Sequence, residues 1–199
     1  LKGSANGDLC GPRAGNPGRS GEVELSDTMS MAIRNSETKE VRLMSGYRDT
    51  YLNRADDTYG KCNAAYSKGG PKQAMEMLNT NLDLNIKYYV SIDFTALIKT
   101  VDLLGGVEID VKEEEVEAIN GYMYETTAIA EKADGEVNPY NSFIEGPGLQ
   151  TLYGVQATAY CRIRKVGNND YERTERQRRV IEQIVEKAKS AGLGTINSM

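Results

Sequence analysis

Histidine is absent from the 199-residue chain. That absence excludes Ser-His-Asp and Cys-His nucleophilic catalysis, a histidine general base and His-ligated zinc. Chemistry is left to carboxylates, arginines, lysines, tyrosines or a hard cation. Cysteine is scarce: Cys10, Cys62 and Cys161 are the three present. They form no CxxC pair for a metal knuckle, and an odd number cannot complete a disulfide framework. The thiols are therefore expected to be unpaired. No run of about 20 apolar residues occurs, so this segment does not span a membrane. The chain opens at Leu1 rather than methionine and reads as an excised domain, an opening compatible with a preceding signal or anchor helix.

What is present suits a soluble α/β domain with a sizeable core. Hydrophobic residues make up 39% and charged residues 27%, a balance of globular rather than disordered chains. The net charge is −5, from 24 basic and 29 acidic residues, which argues against a dedicated nucleic-acid binder. The basic residues are uneven. Arg162, Arg164, Arg173, Arg176, Arg178 and Arg179 crowd into one short stretch, and such a local excess outweighs the sum.

Residues 1–24, rich in Gly, Pro, Asn and Arg, read as a loop. Alternation predicts a strand at Thr28–Arg34 and another at about Glu40–Gly46. The short turn at Asn35–Lys39 makes them an antiparallel hairpin. Asp27 should then lie beside Tyr47 and Arg48. A helix is expected from Pro71 to Leu82 after the Gly69-Gly70 pair, then a strand at Ile86–Ile92. A helix at Phe94–Leu104 should stop at Gly105-Gly106. Val107–Val111 reads as a strand, 112–132 as acidic and partly helical, and 134–150 as a loop. Helices at Gly154 to about Arg162 and from Asp170 to Ala191 close the chain, with Asp170 capping the last. The alternation predicts a single-domain layered α/β/α sandwich around a central mixed β-sheet. Its expected span is residues 25–192, between an N-terminal segment (1–24) and a short tail (193–199).

The last helix is the most informative element. Val180, Ile181, Ile184, Val185 and Ala188 form one apolar stripe. Projected back at about 100° per residue, Arg173 and Gln177 fall within it and Arg176 near its edge. Arg178 and Arg179 fall outside. An inward arginine needs a compensating partner. That partner is either a carboxylate of the protein or a bound anion. Arg162 and Arg164 in YCRIRK would share a face if the backbone there is extended, and a short loop joins them to Asp170 and Arg173. Arginine forks bind phosphate bidentately, and a helix start adds donors. The stretch is thus either a pyrophosphate site or a solvated basic surface. Asp27 and Asp49 have the oxygen chemistry of Mg²⁺ ligands, although an aspartate at a strand boundary is also an ordinary cap. Lys61, in GKCNAAY, either touches a phosphate or is an exposed lysine.

Seven blocks in order carry a family resemblance: SDTM at Ser26–Met29, GYRDTYL at Gly46–Leu52, KCNAAYSKGGP at Lys61–Pro71, YYVSIDF at Tyr88–Phe94, LLGGVEIDV at Leu103–Val111, GPGLQTLYGVQATAYCRIRK at Gly146–Lys165 and NDYERTERQ at Asn169–Gln177. From about Leu25 to Ala191 the sequence resembles the LytR-CpsA-Psr family. The resemblance implies a phosphotransferase of the extracytoplasmic face of the bacterial membrane. It would move a glycopolymer (teichoic acid, capsular polysaccharide or another secondary polymer) from a polyprenyl-pyrophosphate carrier to peptidoglycan, with an accessory pyrophosphatase activity. It also implies an N-terminal transmembrane helix beyond this segment and Mg²⁺ or Mn²⁺ as cofactor. By motif, Arg48, Arg162, Arg164, Arg173 and Gln177 would hold the pyrophosphate, with Lys61 as a further contact. Arg48, Asp49 and Arg173 would be catalytic. Asp27, with Asp8, would hold the metal, and Asp170 and Arg176 would support the others.

The sequence departs from the family at three places. Leu25 stands where an arginine usually precedes SDT, and Glu172 replaces a glycine. The family's first strand, which ends in a metal-binding aspartate, has no clean counterpart; Asp8, in ANGDLCG, is the only aspartate upstream of Asp27. Two rival readings therefore stand beside the transferase. One is a non-catalytic polyprenyl-pyrophosphate-binding module of the envelope, and the other a cytoplasmic regulator of a soluble phosphorylated ligand.

Overall fold

The computed structural model of the protein describes residues 6–13, 29–35, 37–38, 40–134, 142–164, 166–167 and 169–190; for 6–13, 132–134, 169 and 170 it describes the backbone alone. Two compact units divide the chain, Leu1–Asp93 and Phe94–Met199.

The first unit contains β1 (Asn6–Arg13), β2 (Met29–Arg34), β3 (Val41–Gly46), β4 (Tyr51–Asn53), β5 (Tyr59–Lys61), α1 (Cys62–Leu82) and β6 (Asn85–Asp93). Its main sheet has the order β3-β2-β1-β6. β2 and β3 form the expected antiparallel hairpin, from Met29 opposite Gly46 to Arg34 opposite Val41. Asn35 shapes its turn, accepting the Glu37 and Thr38 amides at 2.8 and 3.1 Å. β1 pairs antiparallel with β2 and parallel with β6, so the sheet is mixed.

β1 corrects the reading of residues 1–24 as loop. Gly7, Gly11 and Pro12 depress its local strand propensity, and ladders on both sides supply what the local sequence lacks. A strand does precede Asp27, therefore, and Asp8 lies within it, its backbone opposite Ala32 of β2 and Tyr88 of β6.

α1 begins nine residues earlier than expected. Gly69-Gly70 bends it rather than starting it: Gly70 has φ 65° and ψ −158°, a region essentially reserved for glycine. Pro71 then opens the second segment, where its missing N–H costs nothing. The core of the unit gathers Met29 and Met31 of β2, Cys62, Ala65, Ala74, Met77 and Leu78 of α1, and Ile86 of β6. Leu52 of β4 packs against it. The β4–β5 hairpin was not foreseen; its strands are three residues each, too short for a periodic signal.

The second unit contains α2 (Phe94–Leu103), β7 (Val107–Val111), α3 (Glu113–Asp134), β8 (Gly148–Leu152), α4 (Gly154–Arg162) and α5 (Asn169–Ser190). β7 buries Val107, Ile109 and Val111 and exposes Glu108 and Asp110. It pairs antiparallel with β8 as a separate two-stranded sheet. β8 begins inside the stretch 134–150 expected to be loop, hidden behind Gly146 and Pro147. α4 is the central element. All its residues before Arg162 are buried, and α2, α3 and α5 pack on it. The close approach is made by Gly154: an added Cβ there would stand 2.3 Å from the Ile98 carbonyl oxygen. Its amide donates to Asp102 Oδ1 at 2.7 Å. Side-chain volume at that position would push α2 and α4 apart.

Among the described residues each unit buries one thiol. Cys62 and Cys161 are unpaired, as expected, and burial pushes both up to about 12; the Cys10 side chain lies outside the described residues. A raised thiol pKa means almost no thiolate at pH 8, and thiolate is the reacting form. Peptide mass spectrometry after iodoacetamide treatment at pH 8 should find both unmodified in the native chain and both alkylated in urea. Alkylation of either in the native chain would contradict their placement.

Candidate functional site

In the first unit the site begins with a turn. The Thr50 amide donates to the Tyr47 carbonyl at 3.0 Å, closing the turn that carries Arg48 and Asp49. α1 starts against it. The Cys62 amide donates to the Thr50 carbonyl at 2.8 Å and the Asn63 amide to the Arg48 carbonyl at 3.0 Å. Helix-start donors that usually face solvent or an anion thus fix the turn instead. The result is a cluster from two sequence blocks. Lys61 Nζ stands 2.9 Å from Asp49 Oδ1, and Arg48 Nε stands 3.7 Å from Asp49 Oδ2. One carboxylate between two cations leaves the cluster net positive. With Lys61 61% and Asp49 42% exposed, the ion pair adds little stability, about 0–1 kcal/mol. Its consequence is orientation of the two cations. The turn thus joins Arg48, Asp49 and Lys61, as their separate motifs did not reveal. Asp27 and the Asp8 side chain lie outside the described residues.

In the second unit α5 presents its arginines much as helical projection required. Arg173 is 3% and Gln177 6% exposed, both inward. Arg176, expected at the edge of the stripe, is 2% exposed. Val185, counted in the stripe, is 40% exposed. Gln177 donates its amide to the Cys161 carbonyl at 3.2 Å and ties α5 to α4. The positive charge of Arg173 reaches the Cys161 thiol, where it opposes the larger effect of burial.

Arg176 has the partner that a buried cation needs, and it is a protein carboxylate. Its Nε donates to Glu115 Oε1 at 2.7 Å. Its other nitrogens reach the Ile163 carbonyl at 3.4 Å, the Val166 carbonyl at 3.3 Å and Glu172 Oε2 at 3.0 Å. Glu115 is 1% exposed, and its second oxygen accepts the Lys112 amide at 3.0 Å. One carboxylate therefore caps α3 and neutralises Arg176 of α5. Tyr160, fully buried beside this pair, has its phenol pushed up by burial and by the charge of Glu115.

Arg162 and Arg164 do not share one extended stretch. Arg162 is the last residue of α4, Ile163 is its C-cap at φ −57° and ψ 124°, and Arg164 follows, exposed. Arg162 donates to Glu125 Oε2 at 2.7 Å and Thr126 Oγ1 at 3.0 Å. Its guanidinium carbon lies 5.2 and 5.5 Å from the ring centroids of Phe94 and Tyr122, within cation–π range. α5 starts at Asn169, one residue before the expected cap Asp170, whose side chain lies outside the described residues.

Glu115, Glu125, Phe94 and Tyr122 escaped the sequence reading. Glu115 is the third of three consecutive glutamates, a run that looks like solvated surface. The available signal was its place in the first turn of α3, three residues after Lys112, where a glutamate can reach back to the preceding backbone. Among the described residues no group of three or more carboxylates, thiols or imidazoles is gathered that could hold a metal ion.

A mixed α/β chain with an RDTY turn, a GGP-bent helix and an arginine-rich final helix defines a class, and comparison agrees. A profile of the LytR_cpsA_psr family matches residues 11–199, and the chain belongs to this family. It is 35% identical over 184 residues to the polyisoprenyl-teichoic acid–peptidoglycan teichoic acid transferase TagU of Enterococcus faecalis, covering 92% of this chain and 53% of that protein. It is 29% identical to TagV of Bacillus subtilis, covering 86% of this chain and 41% of that one. The chain thus spans about half the length of these relatives or less. Among solved structures, TagT bound to LI-WTA superposes with a TM-score of 0.73 at 26% identity, covering 94% of this chain and 66% of that chain. YwtF (TagT) with bound octaprenyl pyrophosphate lipid gives 0.71 at 25% identity, with the same coverage.

The Glu115–Arg176 pair gives Arg176 a structural role. Removing one partner strands a buried charge, so Arg176→Ala should cost about 3–5 kcal/mol. The double replacement Glu115→Leu with Arg176→Met should cost much less than that. Urea unfolding followed by circular dichroism reads both. A loss below 1 kcal/mol for Arg176→Ala would contradict the burial described.

Proposed function

We propose that this domain transfers a glycopolymer from a polyprenyl-pyrophosphate carrier to peptidoglycan, at the extracytoplasmic face of a bacterial membrane. The observation that carries the reading is the charge plan. Within each unit, cations of the motifs are held by the protein's own carboxylates, Arg48 and Lys61 by Asp49 and Arg162 by Glu125, as a diphosphate ligand requires. The relatives named as teichoic acid transferases support it, as do the structures with a lipid pyrophosphate or LI-WTA bound. The motif resemblance assigns Arg48, Lys61, Arg162, Arg164, Arg173 and Gln177 to the diphosphate. Teichoic acid is the polymer class that the relatives favour; capsular polysaccharide is the other that the resemblance allows.

The chemistry follows from the charges. A hydroxyl of the wall glycan attacks the phosphorus nearest the sugar. The bond from that phosphorus to the bridging oxygen breaks, and polyprenyl phosphate leaves. Negative charge grows on the leaving and equatorial oxygens, where fixed guanidinium groups stabilise it without reorganisation. Asp49 holds Lys61 and Arg48 in place. The hydroxyl proton passes to a carboxylate. With water in place of the glycan hydroxyl, the same attack is the accessory pyrophosphatase reaction. Dependence on Mg²⁺ or Mn²⁺ belongs to the proposal through the resemblance of SDTM, as does attachment through an N-terminal transmembrane helix. Among the described residues no helix is long and apolar enough to cross a membrane.

The test is release of polyprenyl phosphate and labelling of peptidoglycan when the chain is given a polyprenyl-pyrophosphate-linked glycopolymer, in magnesium and in EDTA. Transfer in magnesium alone supports the full proposal. Transfer in both would remove the metal from it. Stoichiometric binding with no product would leave the binding-module reading, which the substitution at Leu25 favours. Arg48→Ala and Arg173→Ala should each weaken binding of geranylgeranyl pyrophosphate by about 2–5 kcal/mol, as for desolvated charge pairs. Arg178, half-exposed and paired with Glu175 at 2.8 Å, should tolerate alanine with little change. Calorimetry on variants of native unfolding midpoint reads the series, and equal losses at all three would contradict the assignment.

A further inference from the structure

We infer that Tyr51 and Tyr59 form a platform for the sugar joined to the diphosphate. The inference deepens the proposed function and rests on it. The register of the β4–β5 hairpin sets Tyr51 opposite Lys61 and Asn53 opposite Tyr59. Directly opposed residues point to the same face, so Tyr51, Tyr59 and Lys61 share one side. The other side carries Leu52 into the core. The two rings stack with centroids 6.3 Å apart and planes 18° from parallel. Yet Tyr51 is 69% and Tyr59 61% exposed. A single exposed tyrosine needs no explanation. Two stacked rings leave an outer aromatic face open to solvent, bordered by the phenol hydroxyls.

Its neighbours point to the ligand. Opposite Tyr51 stands Lys61, which is bound to Asp49, and Asp49 lies against Arg48. A flat apolar surface therefore borders cations with a carboxylate between them. A glycosyl phosphate has the matching order: an apolar face of C–H bonds on the sugar ring, hydroxyls on its rim, and a phosphate at one end. The rings accept the C–H face, Asp49 and the phenols meet hydroxyls, and Lys61 and Arg48 meet the phosphate. Tyrosine suits this task because it offers a rigid amphipathic surface at small entropic cost.

The platform is also held in advance. The Arg54 amide donates to the Thr58 carbonyl at 2.9 Å across the hairpin. The Asn53 amide donates to Asn81 Oδ1 at 3.1 Å, and Asn81 returns a bond to the Asn53 carbonyl at 2.6 Å. Gln73 donates to the Arg54 carbonyl at 3.2 Å. These bonds clamp a hairpin with three-residue strands to α1, so the rings are in position before a ligand arrives. A purely structural role for the pair predicts effects on stability alone.

The test compares two soluble probes on the whole chain by calorimetry: geranyl diphosphate, and the same lipid diphosphate carrying one N-acetylglucosamine. The glycosylated probe should bind roughly ten-fold more tightly, the scale of one good aromatic contact surface. Tyr51→Ala and Tyr59→Ala should each abolish most of that ratio, while affinity for geranyl diphosphate stays within about two-fold, a fraction of the tenfold that one aromatic contact carries. Tyr59→Leu, which keeps apolar bulk on the hairpin, guards against unfolding and should lose the ratio as well; Tyr59→Phe should keep it. Equal affinity of the native chain for both probes would overturn the platform and leave the proposed function standing. Failure to bind geranyl diphosphate at all would overturn both. A ratio unchanged in the leucine variant would assign the pair to the hairpin's stability alone.

Discussion

A carboxylate and a guanidinium taken out of water together set the geometry of the second unit. Glu115 and Arg176 are both nearly inaccessible and stand 2.7 Å apart. Removing two ions from solvent is expensive, and their attraction offsets that cost only if the remaining donors and acceptors are also met. Here they are met by backbone. Lys112 donates to the second carboxylate oxygen, and the Ile163 and Val166 carbonyls accept from Arg176. The pair joins the start of α3, the end of α4 and the loop that leads to α5. It fixes where α5 begins relative to α4, and so where Arg173 and Gln177 point.

That arrangement divides labour among side chains that are chemically alike. Arg176 is consumed by the fold. Arg162 is steadied by Glu125, Thr126 and two aromatic rings. Arg48 is steadied by Asp49, which also holds Lys61. A site for a diphosphate needs cations that do not have to be collected when the ligand arrives, because each side chain frozen on binding costs free energy. Within each unit carboxylates stand beside the cations: Asp49 beside Arg48 and Lys61 in the first, Glu125 beside Arg162 in the second. The acidic total of the chain, −5, is then no obstacle to an anionic substrate, since part of the acid content holds base in position. Without histidine, the proposed transfer would rest on electrostatic stabilisation and a carboxylate.

Sequence reading succeeded where one periodicity dominates. The β2–β3 hairpin, β7, α2, α4 and α5 fall within a few residues of expectation, and the inward direction of Arg173 and Gln177 follows from helical spacing alone. It failed where structure depends on partners distant in sequence. β1 contains glycine and proline and becomes a strand only because β2 and β6 flank it. β8 stands behind Gly146 and Pro147. Cys62–Lys68 is helical although Gly69-Gly70 looks like a helix start, because glycine at φ 65° allows a bend between two helical segments. Glu115 was passed over because a run of glutamates looks like solvated surface, although its place three residues after Lys112 marked it as a cap. The candidate site was legible as a set of motifs, and the turn that joins Arg48, Asp49 and Lys61 was not. The stacked tyrosines gave no signal, since their register depends on a hairpin with three-residue strands.

The central claim is that this domain holds a lipid-linked pyrophosphate. Mass spectrometry of an organic extract of the chain, purified from a bacterium that makes polyprenyl carriers, tests it most directly. A polyprenyl phosphate or pyrophosphate species should co-purify with the native chain and be lost from the Arg48→Ala and Arg173→Ala variants. A lipid-free native chain that instead carries a soluble phosphorylated ligand would contradict the claim.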